Sequence, residues 1–346
     1  MPPEWHPHDA TWLVWPKDPE TWPGRVPQVE AIFLRMIELL AEHETVNLLV
    51  DDEEAERRVR ERMTWPQSGN VCVHRVKTVD SWIRDYGPNF LVRDPDQTAL
   101  AAAGTLASIA YNDWVFNAWG GKYPALMTDT VVPAILEPIL DMPRFQPSAV
   151  LEGGSIEVNG AGLVMTSEQC LLNVNRNPHL DRAAIEAVLC DYLGVRQVLW
   201  LGEGVAGDDT DGHIDDIARF VSPTTIACAV EEDPVDPNYA PLQDNLRRLR
   251  LARDVAGRPF EIVTLPMPGR VLADGEPLPA SYANFYIANG VVLAPVFGHA
   301  NDAVAVETLQ RLFRDRRVVP VECEPLVWGM GAIHCVTQQQ PRPIET

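Results

Sequence analysis

The chain has 346 residues, 46% of them hydrophobic, enough to bury a large core and too apolar to remain disordered. Its 28 lysines and arginines stand against 49 aspartates and glutamates, a formal net charge of -21, so the long-range field favours cations and opposes nucleic acid and anionic membrane surfaces as partners. The six cysteines are scattered with no C-x-x-C pair, which argues against a disulfide framework and against a structural zinc site.

The N-terminus shows no basic segment followed by an apolar run, and no stretch is long enough to span a membrane, so a reduced, cytoplasmic protein is expected. Trp5, Trp12, Trp15 and Trp22 lie among prolines before residue 27 and predict a rigid irregular segment on the body of the fold, acting as a plug or as a lid over a ligand. Val26, Val29, Ile32, Phe33, Met36, Ile37 and Leu40 recur at helical spacing, and Val46 to Val50 then reads as a buried strand. Glu53 to Met63 predicts a charged surface helix and Val71 to Val76 another strand. The chain next reaches Asp80-Ser-Trp-Ile-Arg-Asp85-Tyr-Gly-Pro88, where Gly-Pro is expected to end a strand with Asp85 near its tip. A helix is predicted from about Thr130 to Leu140. Val150 to Val158 and Gly162 to Thr166 flank Asn159-Gly160, a hairpin signal, with Glu152 just before a Gly-Gly break. An amphipathic helix from about Asp181 to Leu193 and a strand from Gln197 to Leu201 lead into an acidic cluster around His213. A helix around Pro241 to Ala256, strands Phe260 to Leu265 and Asn284 to Pro295, a helix Asn301 to Arg314 and a strand Arg317 to Glu322 complete the chain before Cys335.

The order is that of a mixed α/β fold, and with no linker or compositional break it is read as one domain spanning 1-346. Asp85, Glu152 and His213 recur at comparable intervals in short irregular stretches, which suggests a repeated unit whose loops converge.

Two stretches carry chemistry. In Trp328-Gly-Met-Gly-Ala-Ile-His-Cys335-Val-Thr-Gln-Gln-Gln340 a cysteine follows a Gly-x-Gly bend and is read as presented rather than packed, although a buried structural cysteine is the common role of such a residue. In Asp208-Asp-Thr-Asp-Gly-His213-Ile-Asp215-Asp216 a histidine stands among carboxylates. Asp209, Asp211, His213 and Asp215 have the spacing of a hard-metal site, so a metal-dependent hydrolase of guanidino compounds is one reading; a calcium loop fails because Gly207 takes its first ligand position. The other reading is a Cys-His nucleophilic site. If residues 334 and 335 are extended, His334 points away from Cys335, and His213 becomes the candidate base. Asp85 and Asp215 can each accept paired hydrogen bonds from a planar guanidinium, or serve as ordinary turn residues.

Eight segments resemble the agmatine deiminase family, also called the bacterial peptidylarginine deiminase-like family, of the guanidino-group modifying superfamily. They are Trp82-Ile-Arg-Asp85-Tyr-Gly-Pro88, Phe116-Asn-Ala-Trp119-Gly-Gly-Lys122, Leu151-Glu152-Gly-Gly-Ser155, Cys170-Leu-Leu-Asn-Val-Asn-Arg176-Asn-Pro178, Thr210-Asp-Gly-His213-Ile-Asp215-Asp216, Asp236-Pro-Asn-Tyr239, Pro279-Ala-Ser-Tyr-Ala-Asn-Phe-Tyr286 and Ile333-His-Cys335-Val-Thr-Gln-Gln339. The resemblance implies a five-bladed α/β propeller of pseudo-repeated ββαβ units, with a central site and no cofactor. It implies Cys335 as nucleophile, His213 as general acid/base, Asp85 and Asp215 as guanidinium clamps, Glu152 as a partner in the same site and Asp209 as a further substrate contact. The chain departs from the family at Gly329-Met-Gly-Ala332, where members carry a longer glycine run and an asparagine. Agmatine, hydrolysed to N-carbamoylputrescine and ammonia, is the expected substrate. Trp82, Trp119 and Asp209 suit an alkylammonium tail, whereas only Arg84, Lys122 and Arg176 near the motifs are available for the carboxylate of an arginine. A deiminase of free or peptidyl arginine, a metal ureohydrolase and a non-catalytic polyamine-binding protein are the rival readings, and homo-oligomerisation is left open.

Overall fold

Among the residues that the computed structural model describes, 1-93 and 107-344, one order of elements recurs five times. A strand pairs antiparallel with the next, a helix crosses, and a third strand returns parallel to the second. In the unit that follows Glu152, Glu157–Val158 pairs antiparallel with Leu163–Ser167, the helix Arg182–Leu193 crosses, and Gln197–Leu201 returns. The next unit uses Ala218–Ser222, Thr225–Val230, the helix Tyr239–Leu251 and Glu261–Pro266. Then come Tyr286–Ile287, Val291–Val296, the helix Asp302–Leu312 and Arg317–Glu322. Asn89–Val92, Ile109–Asn112, the helix Val132–Leu140 and the short Arg144–Phe145 form another. The fifth is built from both ends of the chain: Gln338–Pro341 pairs antiparallel with His8–Val14, the helix Val26–Ala41 crosses to Thr45–Val50, and Val71–Arg75 adds a parallel fourth strand.

Local chemistry accounts for these elements. Val29, Ile32, Phe33, Met36, Ile37 and Leu40 bury one stripe of the Val26–Ala41 helix, and a proline sits in its first turn, where the missing N–H costs nothing. Asp52 and Asp181 cap the N-termini of Glu53–Arg62 and Arg182–Leu193, accepting from the N–H groups of Ala55 at 2.8 Å and Ala184 at 2.9 Å. The middle strands are apolar on both faces: every residue of Thr225–Val230 and of Val291–Val296 is buried, the pattern of strands covered on each side. Among the described residues no helix is long and apolar enough to cross a membrane.

Four expectations are revised. Asp85 lies on a short helix, Ile83–Tyr86, rather than at a strand tip; Gly87 N–H closes the turn on Ile83 O at 2.8 Å, and Tyr86 Oη anchors it to Asp80 O at 2.6 Å. The strand expected from Val150 shrinks to Glu157–Val158, because Ser155 turns back to bond Glu152 O through both its N–H and its hydroxyl. The stretch from Asn284 to Pro295 is a hairpin of Tyr286–Ile287 and Val291–Val296, closed by Ala288 N–H on Val291 O at 2.9 Å. The helix expected to reach Ala256 stops at Leu251, after which Asp254 accepts from the N–H groups of Ala256 and Arg258 and bends the chain.

The repeat places the functional segments by one rule. Asp85, Glu152, Asp215, Asn284 and Cys335 each stand just before the first strand of a unit, those beginning at Asn89, Glu157, Ala218, Tyr286 and Gln338.

Candidate active site

Cys335 occupies a turn rather than an extended segment, and it is 8% exposed. The turn is held against the Asp85 helix by Arg84 N–H on Cys335 O at 3.3 Å. A Cβ on Gly331 would lie 2.6 Å from the Trp82 ring and 3.1 Å from Cys335 Cβ, so this close approach of the loop requires glycine. The thiol lies 3.2 Å from Asn284 Nδ2 and 3.7 Å from Asp215 Oδ2. Burial, then Asp215, Asp216 and Asp85, push it well above the ordinary thiol range, so the empty site holds a protonated thiol.

Asp85 faces it from the short helix. Trp119 Nε1 donates to Oδ2 at 2.9 Å, and Gly154 N–H donates to Oδ1 at 2.9 Å. Trp119 can reach because Ala118 and Trp119 both adopt φ of 54°, a left-handed kink rare for such residues. Burial and the neighbouring Asp215 and Glu152 raise the Asp85 carboxyl well above its usual range. Asp215 goes the other way: burial raises it, but the hydrogen bond and charge of His334, with help from Arg219, outweigh that and hold it low.

His213 Nδ1 lies 3.7 Å from Asp85 Oδ1, and burial lowers the imidazole to about 3, which leaves it neutral and available as a base. Glu152, fully buried, is held by Arg176 Nε at 2.7 Å; burial nevertheless raises its carboxyl. Gly154 is where these groups converge, since a Cβ there would stand 2.6 Å from His213 Nδ1, 2.9 Å from Asp85 Oδ1 and 3.1 Å from Asp215 Oδ2. Among the described residues, Asp215 Oδ1, Glu152 Oε2 and His213 Nε2 have no hydrogen-bond partner. Buried polar atoms without partners are costly and mark where a polar ligand or water belongs.

A pocket of about 350 Å³ opens above Cys335 and Asp85. Trp82, Trp119, Trp328 and Met330 wall it, and Asp18, Glu20 and Asp209 bring carboxylates to it. Asp209 accepts a hydrogen bond from Tyr123 Oη. The N-terminal segment is thus both plug and wall: Trp22 is fully buried with its Nε1 on Leu326 O at 2.9 Å, while its neighbour Thr21 reaches the pocket.

The structure therefore brings Cys335, His213, Asp85, Asp215 and Glu152 together, with Trp82, Trp119 and Asp209 above them. The hard-metal spacing of the sequence is not used as a set, because Asp211 is engaged by Lys122 at 2.7 Å, Arg176 at 2.5 Å and Asn175 at 3.0 Å, and Asp209 by Tyr123. Sequence reasoning missed Asn284, Asp216, Glu4 and the part played by His334. Asn284 was discoverable: it is 51 residues before Cys335, in the one interval of the repeat left without a member. Glu4 carried no local signal at all.

A neutral buried histidine, a protonated thiol and carboxylates with free oxygens form a buried cluster short of positive charge. A flat cation that presents several N–H groups and an electrophilic carbon would satisfy all of them at once.

Residues 1–341 match the model of the Porphyromonas-type peptidyl-arginine deiminase family. An agmatine deiminase of Pseudomonas aeruginosa is 38% identical over 367 aligned positions, covering 99% of this chain and 95% of the relative. The structure of the agmatine deiminase of Enterococcus faecalis superposes with a TM-score of 0.90 at 34% identity, covering 99% of this chain and 96% of that one. That of C. jejuni agmatine deiminase does so with a TM-score of 0.84 at 28% identity and the same coverage.

Proposed function

The chain belongs to the Porphyromonas-type peptidyl-arginine deiminase family, and from that premise we propose that it is a hydrolase that deiminates agmatine to N-carbamoylputrescine and ammonia, a step of polyamine biosynthesis. The observation that carries this reading is Cys335, buried beside the carboxylates of Asp215 and Asp85, with Asp215 Oδ1 left without a hydrogen-bond partner among the described residues.

In the proposed reaction the guanidinium lies between Asp85 and Asp215, which accept its N–H groups. Its charge stabilises the Cys335 thiolate, and His213 takes the thiol proton. The sulfur attacks the guanidino carbon, and His213 passes the proton to the departing nitrogen, which leaves as ammonia. A covalent thiouronium remains. Water, deprotonated by His213, attacks the same carbon, the C–S bond breaks, and the product carries a urea group. Glu152, fixed by Arg176, stands behind this centre and shapes its field. No step needs a cofactor.

Agmatine is favoured over arginine by where the cations are. Arg84 is held by Gln339 Oε1 at 2.7 Å and His334 O at 3.2 Å, Arg176 by Glu152 and Asp211, and Lys122 by Asp211 and Asp209 O. An arginine carboxylate would thus meet the acids Asp18, Glu20 and Asp209, which suit an ammonium instead. The five units are read as blades of an α/β propeller in one catalytic domain, at work in the cytoplasm. The test is incubation with agmatine and separate detection of ammonia, urea and N-carbamoylputrescine. Equimolar ammonia and N-carbamoylputrescine are expected; release of urea would overturn the reading.

A further inference from the structure

Behind the clamp lies a chain of buried polar groups that the proposed reaction does not use. His334, next to the nucleophile in sequence, turns its ring away from it: Nδ1 lies 2.7 Å from Asp215 Oδ2, and Nε2 lies 2.8 Å from Glu4 Oε2. A ring with a carboxylate oxygen against each nitrogen satisfies both only by donating twice, as the imidazolium. Glu4 is in turn fixed by Arg219 at 2.9 Å, Arg84 at 3.5 Å and the N–H of Ile287 at 2.8 Å. Glu4 is 4% exposed, His334 1%, and Asp215 and Arg219 not at all, so water does not compete for these bonds.

Taking the deiminase reading as its basis, we propose that Glu4 and His334 are positioning residues of the reaction. Glu4 keeps His334 doubly protonated, and His334 ties back Asp215 Oδ2 so that an ionised carboxylate presents Oδ1 to the guanidinium. The surroundings make this necessary. Asp215 faces Cys335 and His334 from the C-terminal turn, Asp85 from the Ile83–Tyr86 helix, and Asp216 and His213 from its own segment, with Arg219 behind. Two of those neighbours are acids, and a third carboxylate beside them would otherwise hold its proton. His334 itself faces Asp215 and Glu4, with Arg84 and Glu157 beyond them. Of the two clamp acids, Asp85 is pushed up and Asp215 is held down, and this hydrogen-bonded chain is the difference between them.

The experiment compares wild type with Glu4→Gln, which keeps the shape but offers His334 an amide donor, so that the ring becomes neutral. Asp215 then takes a proton within the assay range, and only the ionised fraction binds. The apparent KM for agmatine should rise about tenfold near pH ~6, as when the carboxyl titrates about one unit above that pH, and return to the wild-type value near pH ~9, with the loss on KM rather than kcat. A ratio that is unchanged from one, or equally raised at every pH, overturns the proposal, since a packing fault has no reason to titrate. A second arm needs no substrate. Discharging Asp215 removes a negative charge beside the thiol, so iodoacetamide should alkylate Cys335 faster in Glu4→Gln than in wild type at low pH, the two converging as pH rises. Wild type that fails to turn over agmatine ends the agmatine reading and leaves this second arm to decide the proposal. Should Glu4→Gln not fold, His334→Gln is expected to behave the same way in both arms. In wild type labelled with 15N-histidine, the His334 ring must carry a proton on both nitrogens, as its two carboxylate partners require, and one bare nitrogen also overturns the proposal.

Discussion

At the scale of single residues, Cys335 and His213 have opposite shifts from one cause. Burial removes the charged form of each, so the free protein holds a thiol and a neutral imidazole; in the proposed reaction a bound cation is what makes the thiolate favourable. Because the thiol is raised, its thiolate appears only at pH above the ordinary value of about 8.5, so alkylation of Cys335 in the free enzyme should stay slow through neutral pH and accelerate beyond that. Peptide mass spectrometry of iodoacetamide-treated protein checks this, and rapid labelling at neutral pH would contradict it. Cys335→Ala should abolish turnover while agmatine still binds in calorimetry, since Asp85 and Asp215, the proposed clamp, remain. His213→Ala should lose at least ~10²-fold in rate, the low end for positioned proton transfer, and a near-normal rate would point to another base.

At the scale of elements, the site depends on turns that no repeating pattern specifies. The turn Gly153–Ser155 brings Gly154 against His213, Asp85 and Asp215, so Gly154→Ala forces them apart by tenths of an ångström or more. A loss of at least ~10²-fold in kcat/KM is expected, with a melting temperature close to wild type, because misplacement on this scale costs that much when geometry sets the rate. Full activity in Gly154→Ala would show that the cluster is looser than drawn. The N-terminal segment carries the complementary role. Trp22 is fully buried, with its ring 5.5 Å from that of Trp82, and Trp22→Ala should cost about 3–5 kcal/mol in denaturant unfolding.

At the scale of the molecule, a net charge of -21 and an acidic mouth should steer a dication into the pocket. The kcat/KM for agmatine should therefore fall as salt rises and exceed that for free arginine by at least ~10²-fold. Comparable values for the two substrates would move the assignment to arginine and keep the deiminase chemistry. Prolonged chelation should leave turnover unchanged; loss restored by manganese would favour the ureohydrolase.

The elements with strong periodicity were legible in the sequence: the stripe of the Val26–Ala41 helix, the capped Arg182–Leu193 helix and the strands Gln197–Leu201 and Arg317–Glu322, because hydrophobic period and capping act over a few neighbouring residues. The chemistry-bearing motifs were legible too, since Cys335, His213 and the carboxylates stand in unusual local company. What only the tertiary structure decided is how these pieces face one another. The turns at Asp85, Glu152 and Cys335 are set by long-range bonds such as Arg84 N–H to Cys335 O, which outweigh the local preference for extended chain. The same folding carries Glu4, 330 residues from His334, to within a hydrogen bond of it, and so gives His334 a partner that its own neighbourhood in the sequence could never have marked.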